Sequence, residues 1–214
     1  MFCTAADFDL VPYNIPNLNL VVNTFQEYIN GHEQKALKRL LGVSLYNEFI
    51  QAREAMPPTW DAATAYMIGD RVVHGVDIWV SIADSTGVVP DENASWTIEE
   101  TGNQWLKLEF GSTFTFDNGV TTDEWLGLAD MFRPYIYSQW LRDTFDNNSG
   151  IGVVQAKAEN SEVISPALRV VRSHNEYSFK AIQMQFFIAA ENVPDEIYLN
   201  WNQVPIGTLN TFNL

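Results

Sequence analysis

The pair Pro57-Pro58 in "MPPTW" constrains this chain most, because the residue pattern has a different period on each side of it. Upstream, Leu18, Val21, Val22, Phe25 and Ile29 fall at helical spacing from Asn17 onward. The pattern resumes at Ala36, Leu37, Leu40 and Leu41 after Gly31, and Gly42 is suited to close the helix in a left-handed conformation. A second helix is expected from about Ser44, with Leu45, Phe49 and Ala52 on one face. Two consecutive prolines end it, since neither carries the N–H that helix continuation needs. Downstream, "DRVVHGVDIWVSI" reads as two short strands around a Gly-Val turn, "STGVVPDENAS" as a loop, and "WTI" and "QWLKLEF" as further strands.

Helical spacing returns in "TTDEWLGLADMFRPYIYSQWL", where Thr121 and Glu124 have the spacing of a capping box. Pro134 inside that run predicts a kink or break near Met131, and "FDNNSGIG" reads as a loop. Ser165 and Pro166 then fit the N-cap and first position of a long final helix. Its expected stripe is Leu168, Val171, Asn175, Phe179, Ile182, Phe186 and Ala189, and "ENVP" stops it. Residues 1–16, with Pro12 and Pro16, read as an extended arm, and so does the Pro- and Asn-rich tail 193–214. The expected fold class is α+β: a mainly helical bundle interrupted by a small all-β module, with extended arms at both ends. Residues 1–56 and 113–214 would form the helical domain, and 57–112 the inserted module.

The chain has 27 acidic and 12 basic residues among 214, a formal charge of −15. Segment 57–112 alone sets nine acids against Arg71 and Lys107. Gripping phosphates needs Lys and Arg to displace counterions, so specific nucleic-acid binding is not expected. An acidic wall instead suits a surface past which DNA slides without sticking. No apolar run is long enough to span a bilayer, the N-terminus lacks the basic and apolar regions of a secretory signal, and the single Cys3 cannot form an intrachain disulfide.

The search for chemistry finds no candidate. His32, His74 and His174 have no His or Cys at zinc-ligand spacing. No nucleophile elbow, phosphate loop or dinucleotide fingerprint is present, and "DNNSG" lacks the spacing and terminal Glu of a calcium loop. The acid pairs Asp7/Asp9, Asp91/Glu92 and Glu99/Glu100 suggest solvated loops rather than two carboxyls converging on a cleft. Neither enzymatic activity, nor a catalytic or metal site, nor a cofactor is expected.

Within the β segment, Trp60, Tyr66, Gly69-Asp70, Val72, Trp79, Gly87, Pro90 and Trp96 follow one another at spacings that resemble the small chitin- and cellulose-type carbohydrate-binding modules. The resemblance implies that Trp60, Tyr66, Trp79 and Trp96 form the module's core rather than a ligand site, whereas Trp105 could be exposed. The sugar-binding members carry an exposed aromatic pair where this chain has Ala83-Asp84. An Ala-Asp pair offers no face on which a pyranose stacks, and the Asp would have to be desolvated.

The helical remainder, with "LLGVSLYNEF", "GVVQAKAENSE" and "VRSHNEY", resembles the head–tail connector (head-completion or adaptor) proteins of tailed bacteriophages over roughly residues 15–56 and 120–190. That resemblance implies a structural virion protein at the neck, assembled in the host cytoplasm. It would form a ring, commonly a dodecamer, between portal and tail or neck proteins, with DNA passing through the lumen and no membrane partner. Ile197, Tyr198, Leu199, Trp201 and Phe212 in the tail would then dock on neighbouring subunits or the portal, and the β module would project as a knob. The alternative is a glycan-binding accessory protein that uses the module for attachment to a host surface or polysaccharide.

Overall fold

A computed structural model describes residues 2–9, 11–13, 15, 22–91, 95–116, 121–148 and 166–191. The fold is α+β. Among the described residues the order is a 3-10 turn (Ala5–Phe8), α1 (Val22–Ala55), β1 (Ala65–Tyr66), β2 (Arg71–His74), β3 (Asp77–Ser81), β4 (Ser85–Thr86), β5 (Trp96–Glu100), α2 (Gln104–Phe110), β6 (Ser112–Phe116), β7 (Thr121–Trp125), α3 (Leu128–Asn148) and α4 (Pro166–Ala190). The backbone of α1 leaves helical geometry at Gly42 (φ 74°), where the sequence ends its first helix, because a residue without Cβ takes positive φ at little cost.

The chain divides into two compact units. A helical unit draws on Met1–Leu40 and Ala129–Gln185, and a β unit on Leu41–Leu128 and Phe186–Val204. The β unit thus includes residues on both sides of 57–112.

In the helical unit the N-terminal residues are not an extended arm. Glu33, only 2 % exposed on α1, accepts the Phe2 and Cys3 amides at 3.0 and 2.7 Å, and Gln26 accepts the Ala5 amide at 2.9 Å. These side chains replace the sheet or helix partners that the segment's N–H groups lack. Phe8 then packs edge-on against Phe25, with ring centroids 5.3 Å apart, and Phe2 stacks on Phe132. Asp7 forms an ion pair with Arg133 of α3 at 2.7 Å.

Helix α3 continues through Pro134 without a break. Proline deprives the carbonyl four residues back of its donor, and here that carbonyl, Asp130 O, accepts Lys180 Nζ at 3.2 Å from α4. Lys180 also pairs with the Asp130 carboxylate at 2.6 Å and with Glu176 at 3.0 Å. A cation from another helix thus supplies the bond whose loss was expected to break α3.

In the β unit, β2, β3 and β5 form an antiparallel sheet in the order β2-β3-β5, with Val72 opposite Trp79 and Val73 opposite Ile78. Strand alternation sends these two pairs to opposite faces. Val72 and Trp79 join Tyr66 and Trp96 in one core cluster, against which Trp60 and Ile98 pack. Val73 and Ile78 join Leu106 in a second cluster, with Met56 and Val76 alongside. Leu106 belongs to α2, so "QWLKLEF" is a helix covering the sheet rather than another strand. Asn103 caps it, its side chain accepting the Trp105 and Leu106 amides at 2.9 and 3.1 Å.

Residues 121–125 also differ from expectation. Thr121 and Glu124 are not a capping box but part of β7, which pairs with β6 in register from Ser112↔Trp125 to Phe116↔Thr121. The hairpin gains an anchor that the helix reading lacks: Trp125 is buried, donates Nε1–H to Leu108 O at 2.8 Å and stacks near Phe187. A Cβ on Gly111 would lie 2.5 Å from Trp125 O, and one on Gly127 2.6 Å from Glu109 O, so this close approach requires glycine at both places. The loop expected at 145–148 is instead the last turn of α3.

Candidate functional site

In the β unit, Tyr66, Trp79 and Trp96 are buried together, and Trp60 packs against them with its ring edge-on to His74. Trp96 donates Nε1–H to Val88 O at 3.0 Å. The indole N–H groups of Trp60 and Trp79 are buried without an acceptor among the described residues. Tyr66, Trp79 and Trp96 therefore present no open face to a ligand, Trp60 is half-buried, and Trp105 is half-buried beside Phe49, their centroids 5.9 Å apart.

Ala83-Asp84 lies on the link between β3 and β4. Asp84 is exposed, and its Oδ1 accepts the Ile68 amide at 3.2 Å, while Ala83 O accepts the Ser81 hydroxyl at 2.8 Å. Asp84 therefore ties two loops together. Around it the surface is aliphatic: Met67, Ile68 and Ile82 are 68, 69 and 47 % exposed.

Clefts lie in both units. One, of about 420 Å3 in the β unit, runs past Ile50, Pro57, Pro58, Leu106 and Phe110, and the Arg53–Glu109 ion pair at 2.8 Å stands within it. The other, of about 500 Å3 in the helical unit, is walled by Val11, Pro12 and Tyr13 on one side and by charged residues on the other. Its charges are already matched: Arg133 with Asp7, Lys180 with Asp130 and Glu176, and the Tyr13 hydroxyl donating to Glu176 at 3.0 Å.

Electrostatics here serve packing. Burial raises the Asp7 carboxyl, but hydrogen bonds from Thr4 and Arg133 outweigh it and hold the pKa below the ordinary aspartate value. Burial, followed by the Glu33 charge, pushes the Cys3 thiol far up and keeps it protonated. Burial also lowers His32 and His174, keeping both imidazoles neutral. Among the described residues no group of three or more His, Cys, Asp or Glu could hold a metal ion, and no helix is long and apolar enough to cross a membrane.

On α4 the expected stripe is the outward one. Val170, Ser173, Tyr177, Ala181, Met184, Phe187 and Ile188 are buried, whereas Leu168, Phe179, Ile182 and Phe186 are 43, 69, 43 and 53 % exposed. The helix is apolar on two faces, and a sequence reading that looks for a single stripe finds the wrong one. The docking residues read from the tail, Ile197, Tyr198, Leu199, Trp201 and Phe212, lie outside the described residues, as does Ser165. No protein-family model matches this chain, and no curated protein or solved structure shows significant similarity to it.

Proposed function

We propose that this chain is a structural virion protein of a tailed phage: a ring-forming head–tail connector between portal and tail, through which DNA passes. The observation that carries the assembly part of this reading is α4. Phe179 and Ile182 stand on its outward face, 69 and 43 % exposed, in a chain of charge −15. Apolar side chains in a row opposite a helix's buried face are the mark of a surface that a neighbouring subunit covers. A ring contact of this kind is heterologous, with one face of each copy meeting a different face of the next, and closure follows from subunit shape. The acidic balance supports the lumen part of the reading, since carboxylates do not hold passing DNA. The placement at the phage neck rests on the connector-like motifs of the sequence. Glycan attachment through the β unit is disfavoured by the buried Tyr66, Trp79 and Trp96 and by the structural engagement of Asp84.

Native mass spectrometry of the full chain at rising concentration tests the assembly. A closed oligomer is expected, and the exposed-site double variant Phe179→Asp/Ile182→Asp is expected to remain folded and monomeric. A double variant that assembles like the parent would remove α4 from the interface.

A further inference from the structure

The end of the β unit at which related modules would carry a sugar platform has a surface of its own. Two loops meet there through backbone and carboxylate bonds. The Gly69 amide donates to Ser81 O at 2.8 Å, the Met67 amide to Asp70 Oδ2 at 2.7 Å, and the Ile68 amide to Asp84 Oδ1 at 3.2 Å. The short β1–β4 pairing, Ala65↔Thr86 and Tyr66↔Ser85, fixes their base. Such loops ordinarily carry polar tips. Here the tips are Met67, Ile68 and Ile82.

The setting is one-signed. Between Trp60 and Asp91 the chain has five aspartates and a single Lys or Arg, Arg71. Arg71 is held by Glu99 at 2.6 Å. Asp70 and Asp84 each use one oxygen to secure the loops, leaving the other for an approaching cation.

We infer that this aliphatic tip, Met67, Ile68 and Ile82 edged by Asp70 and Asp84, is a docking face for a partner protein segment that is apolar with basic flanks. The acids argue against the other occupants. A second copy packing tip to tip would set Asp70 and Asp84 against their own counterparts, and like charges across an interface are repulsive. An anionic membrane would be repelled in the same way. A glycan would meet aliphatic tips instead of an aromatic plane. The inference does not depend on ring formation, because the tip would serve any role in which the β unit meets a second protein.

The test titrates the full chain, labelled at its Met, Ile and Val methyl groups, with a synthetic Leu/Lys amphipathic peptide and with its Leu/Glu counterpart. Saturable shifts confined to Met67, Ile68 and Ile82 are expected with the Leu/Lys peptide, with at least tenfold weaker binding of the Leu/Glu peptide. Ile68→Asp is expected to abolish the shifts, while unchanged signals from the buried Val72 and Ile78 methyls show that the unit is still folded. Equal binding of the two peptides, or shifts centred on α4, would overturn the proposal. So would tip shifts produced by raising protein concentration alone, by a chitin oligosaccharide, or by phosphatidylserine vesicles in preference to the Leu/Lys peptide.

Discussion

The two units both bury apolar cores but differ in what else holds them together. The β unit buries Trp, Tyr and aliphatic side chains on both faces of a three-stranded sheet. The helical unit also buries apolar side chains, Phe25, Ile29, Leu37, Phe132 and Ile136 among them, and adds polar ties to them: Glu33 holds the N-terminal amides, Lys180 serves the carbonyl that Pro134 strands, and Arg133 pairs with Asp7. Apolar burial in a sheet is tolerant of chemistry as long as volume is kept. A buried acceptor or cation is not, because removing one partner leaves the other desolvated and unpaired. Single substitutions at Glu33, Lys180 or Arg133 should therefore damage the helical unit and spare the sheet.

The largest expected effect is at Glu33. Glu33→Ala leaves the Phe2 and Cys3 amides without acceptors and should cost roughly 3 kcal/mol. Hydrogen exchange should show protection lost over residues 2–8 and kept over β2 and β3; equal loss in both places would erase the contrast between the units. Lys180→Met comes next, at about 2 kcal/mol by thermal or denaturant unfolding, since it orphans Asp130 O and uncovers two carboxylates. A change within experimental error would mean that α3 tolerates Pro134 by some other route.

Acid sharpens the same comparison. His32 and His174 both lie in the helical unit, and burial lowers the pKa of each. The unfolded chain then takes up protons first, so their contribution is fully present above the ordinary imidazole pKa of about 6.5 and is lost as pH falls below it. Asp7, lowered in the fold, adds a further loss below the ordinary aspartate value, near pH 4. The Tm of the helical unit should fall between pH 7 and 5, and His174→Gln should flatten that slope. An unchanged slope in this variant would separate the histidine from the acid response.

The smallest effect is inside the β core. Trp96→Phe gives up the bond to Val88 O, whereas Trp79→Phe removes an indole N–H that has no acceptor among the described residues. The first should be less stable than the second by about 1 kcal/mol in urea unfolding. A reversed order would show that volume outweighs hydrogen bonding in this cluster.

What the sequence made legible follows from how local its signals are. β2 and β3 were readable because Val72, Val73, Ile78 and Trp79 flank a Gly75 turn, and the α1 break because Gly42 carries it in one residue. α2 was misread because Leu106 and Leu108, both buried, imitate strand alternation, while its helical cue was the lone Asn103 cap. β7 was misread because Thr121 and Glu124 have capping-box spacing. The competing cue, Asp117-Asn118-Gly119 between two alternating runs, is a hairpin signal that favoured the strand. Pro134 is tolerated through Lys180, 46 positions away, and no local rule sees such a partner. Of the surfaces, the sequence showed that Ala83-Asp84 offers no aromatic face on which a sugar could stack. That Asp84 instead pins Ile68 in an aliphatic tip needed the fold.

The central claim, an assembly protein at the phage neck, is tested most directly by labelling purified virions with antibody fragments raised against this chain. Electron microscopy should then show label at the head–tail junction, on one end of the head only. Label on the capsid surface or on fibres, or virions free of label, would contradict it.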